Sequence, residues 1–161
     1  MILAIDPGTT ESAWMLYDDD TNKPVEFAKC GSAEVIDCFV QLTTQNYRPR
    51  VVIEMVASYG QPVGKEVFET CVWIGRFIEA ARNILGDEPA RLYRNEVKMA
   101  LCHATAKIND AVIRQSLIDR FGPGKDKAIG TKKNQGPLYG VKADVWAALA
   151  LAVTFADKNP T

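Results

Sequence analysis

Two short apolar runs that each end on a carboxylate constrain this chain most. Ile2-Leu3-Ala4-Ile5 closes on Asp6-Pro7-Gly8, and Val51-Val52-Ile53 closes on Glu54. A brief apolar run with no polar alternation, bounded by turn residues, reads as a strand buried on both faces. Such strands belong inside a sheet with helices on both sides, so the pair points to an α/β protein. The 161 residues suffice for one domain with its own core. A composition 47% apolar and 24% charged excludes a disordered chain.

The remaining elements follow from periodicity and turn residues. Ser12–Tyr17 and Val25–Lys29 read as strands joined by the polar turn Asp18–Pro24, which makes the first three strands antiparallel. Ser32–Gln45 has helical spacing with Ser32 as its cap. Arg50–Glu54 is the fourth strand, Ala57–Gly64 a Gly/Pro-rich loop, Val63–Leu85 a long helix and Arg91–Tyr93 a fifth strand. Asn95–Cys102 and Asn109–Phe121 read as helices capped by their asparagines. Gly122–Gly140 reads as a mobile, basic, glycine-rich loop, and Val141–Ala156 as a closing helix. The order is β-β-β-α-β-α-β-α-α-α, in a single domain over 1–161.

Several classes drop out. The longest apolar run, Val145–Val153, is too short for a membrane span of about 20 residues. The start shows no secretory signal pattern. Four cysteines without CxxC spacing fit a reduced, intracellular chain, and a single histidine excludes a multi-histidine metal site. Asp18-Asp19-Asp20 lacks the alternating ligands and closing Glu of a calcium loop.

Three carboxylates stand at element ends: Asp6, Glu54 and Asp144, the last in the first turn of the closing helix. Each has an ordinary explanation: an Asx-type turn at Asp6, a surface strand end at Glu54, a favourable helix dipole at Asp144. If the first and fourth strands lie adjacent and parallel, however, Asp6 and Glu54 project side by side at the end where α/β sheets bind ligands. Converging carboxylates without histidine or thiolate suit a hard cation such as Mg2+. Two such ions, about 4 Å apart, are the apparatus of phosphodiester hydrolysis.

Charge is split along the chain. Net charge is −1, yet residues 91–142 carry 11 Lys+Arg against 4 Asp+Glu, while residues 1–90 carry 7 against 14. The basic segment suits a phosphate backbone; solvated helix faces are the alternative. Candidate phosphate contacts are Lys98, Lys107, Arg114, Lys125, Lys127, Lys132, Lys133 and Lys142. The helix Val63–Leu85 is apolar over more than one face. Val67, Cys71, Ile74, Ile78, Ala81 and Leu85 form one stripe, and Phe68, Val72, Trp73, Phe77 and Ile84 widen it. Deep burial is one account; a two-fold interface is the other.

The ordered set Ile2–Gly8, Val51–Glu54, Asn95-Glu96-Val97-Lys98, Ala106-Lys107 and Lys142-Ala143-Asp144 through Ala150 resembles the RuvC-type Holliday-junction resolvases, in a bacteriophage-like form. The resemblance implies an RNase H-like fold: a mixed five-stranded sheet, its first three strands antiparallel, flanked by helices. It implies a crossover junction endodeoxyribonuclease that acts as a homodimer, nicks two symmetric strands and leaves 3′-hydroxyl and 5′-phosphate ends. By the same resemblance Asp6, Glu54 and Asp144 hold two Mg2+ ions, with Mn2+ able to substitute. Lys98 and Lys107 fall in the DNA-contacting region. Tyr59, in the loop after Glu54, is the candidate wedge between base pairs, in preference to Phe68. The setting implied is the cytoplasm of a bacterium or of a phage-infected host. One position departs from the pattern: where the family places a fourth ligand this chain has Val141, with Lys142 beside it as a candidate catalytic group.

Rival readings remain at this level. Asp6-Pro7-Gly8-Thr9-Thr10 also resembles the phosphate loop of sugar kinases and actin-like ATPases, which need a second domain. A nuclease of the same fold acting on other branched DNA or RNA, or a non-catalytic junction-binding module, fits the residues as well.

Overall fold

The computed structural model describes residues 1–58 and 60–160. Its centre is a five-stranded sheet of β1 (Ile2–Asp6), β2 (Glu11–Asp18), β3 (Lys23–Gly31), β4 (Arg50–Met55) and β5 (Ala90–Tyr93), in the order β3-β2-β1-β4-β5. β1, β2 and β3 pair antiparallel, while β1–β4 and β4–β5 pair parallel. The sheet is mixed, as the strand order implied.

Alternation along β1 builds two cores. Ile2 and Ala4 face one layer, and Leu3 and Ile5 the other; all four are fully buried. The second layer is α1 (Ser32–Thr44) and α2 (Lys65–Ala80), which insert Val35, Phe39, Ile74 and Phe77. The first is built by α3 (Arg94–Cys102), α4 (Asp110–Phe121) and α6 (Val145–Lys158), the last of which buries almost every residue from Val145 to Phe155.

Four local expectations are corrected. Ser32 is not a helix cap: Gly31 holds that position, and the Ser32 hydroxyl is buried 2.8 Å from that of Ser12. Asn95 does not cap α3, which starts at Arg94; the Glu96 carboxylate accepts from the Tyr93 amide instead. Asn109 does cap α4, accepting from the Val112 amide. The closing helix begins at Val145 rather than Val141, because Ala143 lies in the left-handed region at φ 46° and interrupts it.

The fourth correction concerns Gly122–Gly140, which is not a structureless loop. It folds into a one-turn helix α5 (Lys125–Ala128) and a hairpin of β6 (Gly130–Thr131) and β7 (Asn134–Gln135). Leu138, fully buried, pins it to the first core. Gly136 makes this possible: a Cβ there would meet the Lys127 carbonyl oxygen at 2.3 Å. In the long helix, α2 passes into a π-helical turn at Ala81–Leu85. Its core face is Thr70, Ile74, Phe77 and Ala80, so Phe77 belongs to the core while Cys71, of the other expected stripe, is exposed.

Candidate active site

Strand register assembles the site. Asp6 lies opposite Ala13, and Ala13 opposite Lys29. On the other side Ile5 pairs with Ile53, so Asp6 and Glu54 stand one step further on, and Glu54 pairs with Leu92. One row across the sheet therefore carries Lys29, Ala13, Asp6, Glu54 and Leu92, all on the face covered by α3, α4 and α6. Adjacent strands lie about 4.8 Å apart, so Asp6 and Glu54 are neighbours. The turn after Asp6 is tied down at both ends. The Gly8 amide donates to Ser12 Oγ at 3.1 Å, and Trp73 Nε1 donates to the Thr9 carbonyl at 2.8 Å.

Burial and like charge then act on these acids. Burial, with Glu54 next in weight, pushes the Asp6 carboxyl up to about 7; Asp144 and Asp110 push the same way and Arg94 opposes them. Glu54 is also raised by burial, again opposed by Arg94. Asp144 is the residue before α6, and its carboxylate makes no cap to that helix. It turns instead to Lys29, Oδ2 to Nζ 2.8 Å, and Lys29 also reaches Glu11 at 3.5 Å. Asp144 still stands at the N-terminus of α6, where the dipole favours an acid, but its carboxylate is held by Lys29 and not by a cap.

Besides Lys29, two further participants were not visible in sequence. Arg94 follows β5 directly, at the same sheet edge as Asp6 and Glu54. Its Nη1 lies 3.4 Å from Glu54 Oε2, and its Nη2 bonds Asp110 at the start of α4. Asp110 and Asp144 line one small cavity of about 70 Å3 with Arg94, Arg114 and Trp146. Asp110 follows a capping asparagine, where an acid is ordinary, so its approach to the site carried no signal. Val141, at the position of the expected fourth ligand, is buried in the core.

The donor set fits a hard divalent cation in its chemistry: oxygen ligands only, with Asp6 buried among like charges. As the side chains stand, no three Asp, Glu, His or Cys among the described residues form a group that could hold an ion. Glu54 and Asp144 are each engaged by a basic side chain.

Most of the basic residues of 91–142 are unneutralised. Of the 11 Lys and Arg in 91–142, Arg91, Arg94 and Arg120 are in ion pairs. Lys98, Lys107, Arg114, Lys125, Lys127, Lys132, Lys133 and Lys142 make none among the described residues. Lys98 is near enough to Glu54 to lower its pKa, and Arg114 stacks on Trp146 at 4.6 Å. Lys132 and Lys133 form the exposed tip of the β6–β7 hairpin. Lys142 is exposed and shares a groove with Lys29. Tyr59 lies outside the described residues.

No protein-family model and no curated protein sequence matches the chain. Solved structures do. RuvC of Thermus thermophilus in complex with Holliday junction substrate is similar at 16% identity and a TM-score of 0.68, covering 96% of this chain and 92% of that one. A second Thermus thermophilus RuvC structure gives 15% identity and a TM-score of 0.62, covering 98% and 95%. The mixed sheet and its flanking helices thus share the RuvC fold over nearly the whole chain, as the ordered motifs implied.

Proposed function

We propose that this protein is a structure-specific DNA endonuclease that resolves four-way junctions. The observation that carries the reading is the approach of Asp6, Glu54 and Asp144 at the ends of the parallel strands, in a chain whose segment 91–142 leaves eight basic side chains without an acidic partner among the described residues. The RuvC fold, found in a protein solved with a Holliday junction, supports the choice of substrate.

Asp6, Glu54 and Asp144 would hold Mg2+, with Mn2+ able to replace it. Bound there, the metal supplies Lewis-acid activation of water and stabilises the leaving oxygen. The chain's own groups do the rest. Lys142, exposed two residues from Asp144, presents an ammonium to the scissile phosphate. The lysines and Arg114 of 91–142 bind flanking phosphates. Tyr59 stacks on a base at the junction, an interaction worth about 1–3 kcal/mol.

The exposed face of α2 makes the dimer. Phe68 and Val72 stand 61% and 56% exposed, in line with exposed Cys71 and Gly75. A glycine inside a helix costs about 0.5–1 kcal/mol, and one on an open face allows close approach of a second helix. A two-fold axis there sets two active sites on opposite strands of a symmetric junction.

The test is Mg2+-dependent nicking of a synthetic four-way junction, a Y-fork and an RNA–DNA hybrid, with Asp6→Asn as control. Paired nicks in the junction, lost in the control, are expected. Preference for the fork or hybrid reassigns the substrate. Tight junction binding without cleavage makes the protein a binding module.

A further inference from the structure

The carboxylate site already contains cations of its own. Arg94 spans two acids on different elements: Glu54 at the end of β4, whose side chain is 12% exposed, and Asp110 in the first turn of α4, 84% exposed. Lys29 does the same on the opposite flank, joining Asp144 to Glu11. The row across the sheet places Lys29 on this face, and the end of β5 places Arg94 there. These contacts link two of the three acids assigned to the metal to partners outside the metal set.

We propose that Arg94 and Lys29 are displaceable internal counter-cations, which compete with the divalent cation for Glu54 and Asp144 and transfer to phosphates of the bound DNA strand. The inference rests on reading Asp6, Glu54 and Asp144 as a divalent-cation site.

A divalent cation on Glu54 and the Arg94 guanidinium repel each other across the shared carboxylate, so metal entry weakens the hold of Glu54 on Arg94. A guanidinium that loses a largely buried carboxylate keeps only the exposed Asp110 as its partner, and a partly desolvated charge so weakly paired favours a further anion. A phosphate oxygen is a suitable replacement, and Arg matches its geometry in a bidentate pair. Arg94 is 24% exposed and Lys29 36%, so both reach the surface without unfolding an element. The consequence is coupling: DNA binding draws the basic side chains away and raises metal affinity, and metal raises DNA affinity by the same factor. Metal loading is thereby tied to the presence of substrate.

The experiment is direct Mn2+ binding, followed by electron paramagnetic resonance of free Mn2+, on the DNA-free full chain. Wild type, Arg94→Gln, Lys29→Gln and Asp6→Asn are compared, with thermal melts in chelator to confirm folding. Arg94→Gln is expected to tighten Mn2+ by about tenfold or more. Lys29→Gln tightens it less, since its pair with Asp144 is the more exposed. A phosphorothioate junction that resists cleavage should tighten Mn2+ on wild type and do so less on Arg94→Gln. Unchanged or weaker Mn2+ binding in both Gln variants, with loss in Asp6→Asn, overturns the counter-cation role and leaves the metal site standing. Absence of Mn2+ binding to every form overturns both.

Discussion

At the scale of single residues, Asp6 is where function and stability oppose each other. Its carboxyl ordinarily ionises near 3.8, but burial and the neighbouring acids raise it to about 7 in the folded chain. Between those values the folded state holds the extra proton. Stability of the metal-free protein therefore falls as pH rises from about 4 to about 7 and is level above that, at a cost of at most about 4 kcal/mol. Asp6→Asn removes the ionisation and keeps the shape. We expect its melting temperature in chelator to exceed that of wild type above pH 7 and to converge with it in acid, while nicking is lost. Equal melting curves at all pH values count against the strain assigned to Asp6. How far the site was legible is clearest at this scale. Asp6 and Glu54 showed themselves because each ends an apolar run, a position where burial gives no reason for an acid. Arg94, Lys29 and Asp110 did not, because what brings them in is strand register and the packing of α4, which no local pattern encodes. Ala143 is a third kind of case: its left-handed backbone aims Asp144, yet alanine inside a helical pattern signals continuation.

At the scale of elements, the strands and α4 were legible to within a residue or two, since period-2 and buried runs are strong signals. The segment 122–140 was not. Its glycines suggested an open loop, whereas Gly122, Gly130 and Gly136 serve close approach, and Ala128 and Leu138 fix the segment to the core. Gly136→Ala tests this. With backbone oxygens at 2.3 and 2.5 Å from the new Cβ, the hairpin must shift, and overpacking of this kind costs about 1–3 kcal/mol. The expected result in chemical denaturation is a lower midpoint with an unchanged slope. The long helix divides the same way: periodicity showed that α2 was apolar beyond one face, but which residues were spare depended on its rotation against the sheet. With Phe68 and Val72 outward, the proposed dimer through α2 predicts that Phe68→Glu raises its dissociation constant by about a hundredfold or more, since each protomer would lose an aromatic whose burial is worth about 1.5–3 kcal/mol. Sedimentation velocity reads this directly. The variant's thermal midpoint as a monomer should stay close to that of diluted wild type, because the side chain contributes little to its own core.

For the whole molecule, a net charge of −1 predicts little affinity for a polyanion, and the distribution of ion pairs predicts the reverse. Outside 91–142 the ion pairs include Glu69 with Lys65, and Glu79 and Glu88 with Arg82, while inside the segment only Arg91, Arg94 and Arg120 are paired among the described residues. Eight basic groups in the middle of the chain have no acidic partner among the described residues, and two of them, Lys132 and Lys133, sit at the tip of a hairpin that Leu138 anchors. Each lysine that neutralises a phosphate releases a counterion and adds about 0.9 to the slope of log affinity against log salt. Replacing Lys132 and Lys133 together by alanine should therefore flatten that slope by about 2 per protomer. Lys65→Ala, which removes a lysine already paired to Glu69, should leave it unchanged although both changes lower the formal charge. Fluorescence anisotropy of a labelled junction in chelator, titrated with salt, separates the two. Flattening in Lys65→Ala about half that of the hairpin variant, in proportion to the charge removed, would mean that bulk charge governs binding; flattening confined to the hairpin variant assigns it to placed, unpaired cations.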